Sequence, residues 1–401
     1  MEKEDNSINF KEKNKFIFKI LNKCINNKIP FYIYRKSEIE NIVCGIQISS
    51  PNCIIEESEL IKKSGFIISP FDTKKILNSK NNYSFKNAPL LLIRDEKSFN
   101  SDNIDSFDSH FLDKIDFSKN QLFYIKDNSP KEFIKVAYEK EEYKKTIQET
   151  IGKINSGNLD KVVISKSVLI PKKEKNDIEI FDSLLNSYPN EFVFWAYVPN
   201  MTSWMGASPE MLLSKDKNTY KTMALAGTQK IIKSKEYSEK LSDTWDKKEI
   251  IEQDIVSKYI RNTLSKTTKN PIEESLPSSK KAGNLIHICT NFTFQDILSR
   301  ESIYNLIRTL HPTPALCGFP KDKAKEYIIV TEKHDRLYYS GFLGPVYKDS
   351  SFDFFVNLRS MEIFNDYFLL FVGGGITSDS IPEDEWNETE AKLQTLLKFI
   401  S

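Results

Sequence analysis

Several things are missing from this chain of 401 residues, and each absence narrows what it can be. Cysteine is scarce: Cys24, Cys44, Cys53, Cys289 and Cys317 make an odd count with no Cys-x-x-Cys pair. That argues against a disulfide framework and against a zinc site. Neither sign of charge dominates. Lys plus Arg total 57 against 56 Asp plus Glu, a formal net charge of +1, without the basic footprint of a nucleic-acid binder. No run of about 18 apolar residues occurs, so no membrane span is expected. The start, Met1-Glu-Lys-Glu-Asp5, is charged where a secretory leader would be apolar. The glycines at 373–375 are not followed by Gly-Lys-Ser/Thr, which excludes a phosphate loop. No internal repeat is clear enough to name. The expectation is a soluble cytoplasmic protein with neither membrane nor nucleic acid as a partner.

What is present is ample core material. With 39% hydrophobic and 12% aromatic residues, the chain needs no disulfide or metal staple to fold. Apolar spacing predicts a helix over 7–27, with Phe16, Ile17, Ile20, Leu21 and Cys24 on one side. A strand should start at Pro30-Phe-Tyr-Ile-Tyr34. Residues 96–120, rich in Asp, Ser and Asn, read as a loop or insertion. Residues 132–154 have helical spacing at Tyr143, Ile147, Ile151 and Ile154, and Gly157 suits a helix end. Strands should then dominate, over 162–170, 191–198, 327–331, 353–364 and 367–372. Helices are expected near 235–265, 298–310 and 383–400. Without a regular βαβ alternation, the fold class is α+β rather than doubly wound.

The final helix carries the clearest chemical pattern. Ser380-Ile-Pro-Glu383 reads as a capping box with a proline in the first turn. Trp386, Leu393, Leu396, Leu397 and Ile400 form the buried stripe, and Glu385, Glu388 and Lys392 share a neighbouring face. Alone, this is an acidic first turn that complements the helix dipole. A second pair shifts the weighing. Glu249 and Glu252 are again three apart, in a segment whose buried side is expected to hold Ile251, Ile255 and Tyr259. Like charges at this spacing repel by roughly a few tenths of a kcal/mol. Two pairs facing each other would repel more, unless a cation lay between them. Hard carboxylate oxygens, with water and an anionic substrate, suit magnesium. Glu-x-x-Glu is common on charged helices, so the pairs become specific only through their company.

That company is a set of short motifs. Lys161-Val-Val-Ile-Ser-Lys166 opens an apolar strand with a lysine that would ordinarily snorkel to water. Buried instead, it would lose the solvation that keeps it charged and become a usable general base. Gly206-Ala-Ser-Pro-Glu210 sets a carboxylate at the head of a strand, ordinarily a plain turn glutamate. Ala224-Leu-Ala-Gly-Thr228 offers pliable backbone and a hydroxyl for close approach of a carboxylate. Leu310-His-Pro-Thr-Pro-Ala-Leu-Cys-Gly318 is a stiff turn in which His311 would make a structural hydrogen bond. The glycines 373–375 would form a tight turn or an anion nest.

Taken in order, these segments resemble the chorismate-utilising enzymes. That family includes isochorismate synthase, salicylate synthase, anthranilate synthase component one and aminodeoxychorismate synthase. Asp335-Arg-Leu-Tyr-Tyr-Ser-Gly341, Asn357-Leu-Arg359 and Glu385-Trp-Asn-Glu-Thr-Glu-Ala-Lys392 extend the match. The motifs fall within 137–401. Residues 1–136 match weakly, through Pro30-Phe-Tyr-Ile-Tyr-Arg35 and Gly65-Phe-Ile-Ile-Ser-Pro-Phe71. The resemblance implies one α+β chorismate-binding domain over 1–401, with two orthogonally packed sheets flanked by helices. It implies that Lys161 activates water for attack at C2 of chorismate and that Glu210 protonates the departing C4 hydroxyl. Glu252 and Glu388 would ligate Mg2+ directly, with Glu249 and Glu385 supporting them. Gly227, Thr228, Tyr339, Arg359, Gly373 and Lys392 would contact the substrate's carboxylates, and His287 would sit near the ring.

Three alanines narrow the reaction by the same resemblance. Aminodeoxychorismate synthases carry a lysine at the position of Ala226. Anthranilate synthases typically have proline at Ala224 and need an amidotransferase partner. Lyase members tend to have threonine at Ala315. The implied activity is a magnesium-dependent isomerase that stops at isochorismate and feeds menaquinone or siderophore synthesis. It would act as a monomer without an amidotransferase subunit. A salicylate-forming enzyme is the second reading. A non-catalytic chorismate-binding protein is the alternative of another class, opposed by the intact Lys161, Glu210 and acid pairs.

Overall fold

The computed structural model describes residues 2–37, 39–50, 52–72, 88–102, 139–173, 175–231 and 245–400. Among them the strands form two antiparallel sheets of nine strands each. One runs β14 (Gly318–Phe319), β6 (Lys161–Pro171), β18 (Tyr367–Ile376), β17 (Ser360–Ile363), β8 (Thr202–Ser208), β7 (Phe192–Val198), β1 (Phe31–Arg35), β2 (Ile42–Ile46), β5 (Lys97–Asn100). The other runs β11 (Ile272–Glu274), β13 (Leu285–Gln295), β10 (Thr219–Lys230), β9 (Met211–Asp216), β16 (Phe352–Val356), β15 (Phe342–Val346), β3 (Gly65–Ser69), β4 (Leu91–Arg94). In that sheet β12 (Ser278–Ala282) also pairs with β13.

Side chains alternate along a strand, so each sheet has two faces to cover. The faces that meet are aromatic. Phe192 of β7 stacks on Phe355 of β16 with ring centroids 4.0 Å apart, and Tyr32 of β1 lies 5.1 Å from Phe66 of β3. The other face of the first sheet is covered by α1 (Glu2–Asn26), α3 (Asp177–Ser187) and α7 (Pro382–Ile400). Leu21, Phe181 and Leu396 there join Trp195 and Leu370. Helices α4 (Lys247–Thr267) and α5 (Arg300–Leu310) cover the second sheet, with Val256, Ile260 and Ile303 against Leu213 and Phe354. Helices α2 (Lys140–Asn155) and α6 (Lys321–Thr331) close over the start of β6, with Tyr143, Ile147 and Ile328 on Val162 and Ile164. No described helix is long and apolar enough to cross a membrane.

The α+β class holds, and several local expectations are corrected. Residues 327–331 are not a strand but the end of α6. The preceding Lys-Asp-Lys-Ala-Lys-Glu run forms helix readily, and Ala324 and Ile328, four apart, supply its buried side while Val330 is 77% exposed. The polar stretch 96–120 contains a strand, β5, before residues 103–120 pass outside the described residues, as do 132–138 and 235–244. The expected strand 353–364 is two, β16 and β17, broken at Asn357-Leu-Arg359. The glycines 373–375 are neither turn nor nest. They continue β18, opposite Ser165, Ile164 and Val163 of β6. Ser380 does not close a capping box with Glu383. Its hydroxyl donates to Glu385 Oε1 at 2.6 Å, while Glu383 pairs with Lys140 and Lys144. Helix α4 is turned the other way from expectation. Ile251 is exposed and Ile255 and Tyr259 are half-buried, whereas Glu252, Gln253, Val256 and Ile260 are buried.

Candidate active site

Strands β6 and β18, the bulge of β10, β13, and helices α4 and α7 enclose one cavity. Every expected substrate contact lines it (Gly227, Thr228, His287, Tyr339, Arg359, Gly373 and Lys392), and so do Glu210 and Glu252. Lys161 lies behind this wall, fully buried, while Val163, two residues along the same face of β6, is part of it. Glu249, Glu385 and Glu388 are not wall residues. Ala226 and Ala315 are in the wall; Ala224 is packed in the core beneath it. His311 is absent from this cavity and makes the expected structural contact, Nε2 to the Pro70 carbonyl at 3.1 Å. A larger groove on the outer side of α4, lined by Ile251, Ile255 and Tyr259, holds none of these residues.

Glu210 sits at the head of β9, where Val356 N–H donates to its backbone carbonyl at 2.9 Å and so fixes the turn. Its side chain is buried, and burial pushes the carboxyl up to about 8 against the opposing pull of Lys161 and Lys280. At neutral pH it is therefore a protonated acid facing the cavity.

The opposite charge is gathered by a backbone irregularity. The β10–β13 register slips between Ala226 and Gln229, and Gly227 takes φ +68°, a left-handed conformation that glycine tolerates. The bulge turns the Gly227 carbonyl towards His287 Nδ1, 2.8 Å away, with the Thr228 hydroxyl at 3.2 Å. Arg359 can only donate, and it donates through Nη2 to His287 Nε2. Nδ1 therefore carries the imidazole proton. Burial first, and then the Arg359 charge, hold this histidine well below its ordinary pKa and keep it neutral. Arg359 also donates to the Ala282 carbonyl at 2.8 Å. Its own φ of 48° at the β16–β17 break is a strained setting of the kind found at binding sites.

Glu252 meets the Glu385–Glu388 pair at the glycines, while Glu249 stands against Gly227. A Cβ on Gly374 would stand 2.9 Å from Glu385 Oε2, and one on Gly375 would stand 2.2 Å from Glu252 Oε1 and 2.8 Å from Lys161 Cε. Only glycine lets α4 and α7 bring their carboxylates this close to β18. Three lysines meet them. Lys161 Nζ is 2.9 Å from Glu252 Oε1, Lys248 Nζ is 2.6 Å from Glu385 Oε1, and Lys392 Nζ is 2.6 Å from Glu388 Oε1. Lys392 also donates to the Gly373 carbonyl at 2.8 Å. Burial would raise Glu252, but Lys161 and Lys248 outweigh it and hold this carboxyl below its ordinary value. Burial and then repulsion from Glu388 push Glu385 up to about 7, and burial raises Glu249. Buried Glu249 Oε2 and Glu385 Oε2 have no hydrogen-bond partner. Among the described residues no three acidic, His or Cys side chains are gathered tightly enough to hold a metal as they stand.

Comparison with known proteins decides the family. Residues 79–401 match the model described as chorismate binding enzyme. The chain belongs to that family. It is 27% identical over 260 residues to the vibriobactin-specific isochorismate synthase of Vibrio cholerae, covering 64% of this chain and 66% of that one. It is 30% identical over 265 residues to isochorismate synthase MenF of Bacillus subtilis, covering 65% and 56%. The chain thus spans somewhat less than two thirds of these curated relatives. A crystal structure of a putative 2,3-dihydroxybenzoate-specific isochorismate synthase from Bacillus anthracis superposes with TM-score 0.71 at 21% identity, over 93% of this chain and 96% of that one. Anthranilate synthase component I from Streptococcus pneumoniae gives 0.65 at 16%, over 91% and 89%. These two likenesses establish the fold of this chorismate binding enzyme.

Two residues of the site escaped the sequence reading. Lys248 adjoins Glu249, and its signal was available: a lysine pair in the first helical turn opposes the helix dipole. Lys280, whose Nζ donates to the Pro209 carbonyl at 3.1 Å beside Glu210, sits in a polar Ser-Ser-Lys-Lys run with nothing to mark it.

Because the folded cavity raises Glu210, the neutral acid is the form that folding favours. Its contribution to stability is fully present below the ordinary value of 4.5 and is lost as pH rises towards about 8. Glu210→Gln should flatten that part of the decline in denaturant midpoint over this window. An identical decline in wild type and variant would show that Glu210 does not titrate there.

Proposed function

We propose that this chorismate binding enzyme isomerises chorismate to isochorismate. The observation that carries the reading is Glu210, a buried acid facing the same cavity as the Lys161–Glu252 pair, with Ala226 and Ala315 in the wall. Neither alanine side chain can act as a nucleophile or donate a hydrogen bond, which supports water as the attacking group. Attack by water at C2 needs a base, and loss of the C4 hydroxyl needs an acid. Lys161 takes the first role as a neutral amine, once its ammonium proton has been released to the paired Glu252 carboxylate or to solvent. Glu210, protonated at neutral pH, gives its proton to the departing oxygen. Arg359, Thr228 and Lys392 orient the substrate's two carboxylates, and neutral His287 is held beside the ring by Gly227 and Arg359.

The donor set suits a hard divalent cation, since Glu252, Glu385 and Glu388 approach β18 at Gly374 and Gly375, and the buried oxygens Glu385 Oε2 and Glu249 Oε2 have no hydrogen-bond partner. Glu252 and Glu388, supported by Glu249 and Glu385, would hold magnesium. When bound, it supplies fixed positive charge opposite a substrate carboxylate. Two relatives are named isochorismate synthases, one of them vibriobactin-specific, which supports a place in menaquinone or siderophore synthesis.

Purified protein given chorismate and magnesium should yield isochorismate by chromatography, with turnover abolished by a chelator or by Lys161→Ala. Salicylate or anthranilate as the main product would contradict the assignment, and binding without turnover would mean a non-catalytic module. Gly375→Ala should cost about 100-fold in turnover with the fold intact, because a methyl there displaces Glu252 and Lys161. Unchanged turnover would separate that pair from the chemistry.

A further inference from the structure

Lys247 and Lys248 open α4, where the helix dipole disfavours positive charge, so local physics gives them no reason to be there. Lys247 is exposed, and no contact is found for it among the described residues. Lys248 is different. Its ammonium lies 2.6 Å from Glu385 Oε1 and 3.9 Å from Glu388 Oε2, bridging from α4 to the acid pair of α7. Glu385 is fully buried, and its other partner, the Ser380 hydroxyl, is neutral. A violated local rule that is repaid by a specific long-range contact is the pattern expected at a functional site.

We propose that Lys248 is an internal counter-cation that occupies the acid cluster in the metal-free protein and competes with the divalent cation for it. The inference rests on the magnesium reading above. One ammonium is an incomplete substitute. It leaves Glu385 Oε2 and Glu249 Oε2 without partners, and Lys161 and Lys392 are engaged with Glu252 and Glu388. A divalent ion that took Glu385 Oε2 would stand beside the Lys248 ammonium held on Oε1 of the same carboxylate, and the two like charges would repel unless that contact opened. The ion's observed affinity is therefore reduced by the fraction of molecules in which the contact is closed. Lys248 offsets the charge of the Glu385–Glu388 pair and makes the metal exchangeable.

The test uses the full chain, with magnesium binding followed by calorimetry and thermal stability measured in chelator. Lys248→Met should bind magnesium about tenfold more tightly or better, melt earlier than wild type in chelator, and recover in saturating magnesium. Lys248→Gln, which can still hydrogen-bond Glu385, should show the same tightening with a smaller loss of stability. Lys247→Met, which removes the neighbouring charge without the contact, should do neither. Unchanged or weaker magnesium binding by both Lys248 variants would overturn the proposal, as would equal tightening by Lys247→Met. Wild-type protein that turns over chorismate yet binds no magnesium would overturn the metal reading and this inference together. Wild-type binding with unchanged variants would overturn this inference alone.

Discussion

Carboxylates brought together in a protein interior repel, and here two helices deliver three of them, Glu252, Glu385 and Glu388, against one strand. At an effective dielectric of 20, two like charges 4 Å apart cost about 4 kcal/mol. The cluster is tolerable only because Lys161, Lys248 and Lys392 reach into it and because Gly374 and Gly375 remove the side chains that would otherwise fill the space. Most of the site follows from that compensation. Lys161 is drawn to the start of β6, Lys392 is set between Glu388 and the Gly373 carbonyl, and α4 is rotated so that Glu252 points inward.

The same electrostatics divide the cavity into two ends. Around Glu252 the surrounding ammonium groups keep the carboxyl ionised, whereas around Glu210 burial wins and keeps it protonated. At the other end a neutral histidine is held between a backbone carbonyl and an arginine, so that no imidazolium stands beside the guanidinium to repel it. The fold supplies both environments from its two sheets. β6 and β18 of the first carry Lys161 and the glycines, and the bulge of β10 in the second carries Gly227 and Thr228.

Much of this was legible in the sequence, because ordered motifs constrain chemistry more tightly than periodicity constrains shape. Glu210, Gly227, Thr228, Tyr339, Arg359, Gly373 and Lys392, all in the cavity wall, were readable from their motifs. What was not legible is where polar residues override periodicity. Helix α4 reads as an amphipathic helix with Ile251, Ile255 and Tyr259 inward, but pairing Glu252 with Lys161 and Gln253 with the Ala224 carbonyl decides its rotation. The run at 327–331 looks like a strand in isolation and is helical because the residues before it are. The glycines 373–375 look like a turn because nothing in the sequence reveals the carboxylates that need the room.

The central claim is that this cavity adds water to one ring carbon and expels the hydroxyl of another. The most direct measurement is mass analysis of isochorismate formed in water enriched in heavy oxygen. If Lys161 activates water and Glu210 releases the original hydroxyl, the product carries the heavy isotope at C2 and loses the light oxygen from C4. Unlabelled isochorismate would mean that the hydroxyl migrates within the substrate, and the roles assigned to Lys161 and Glu210 would be wrong.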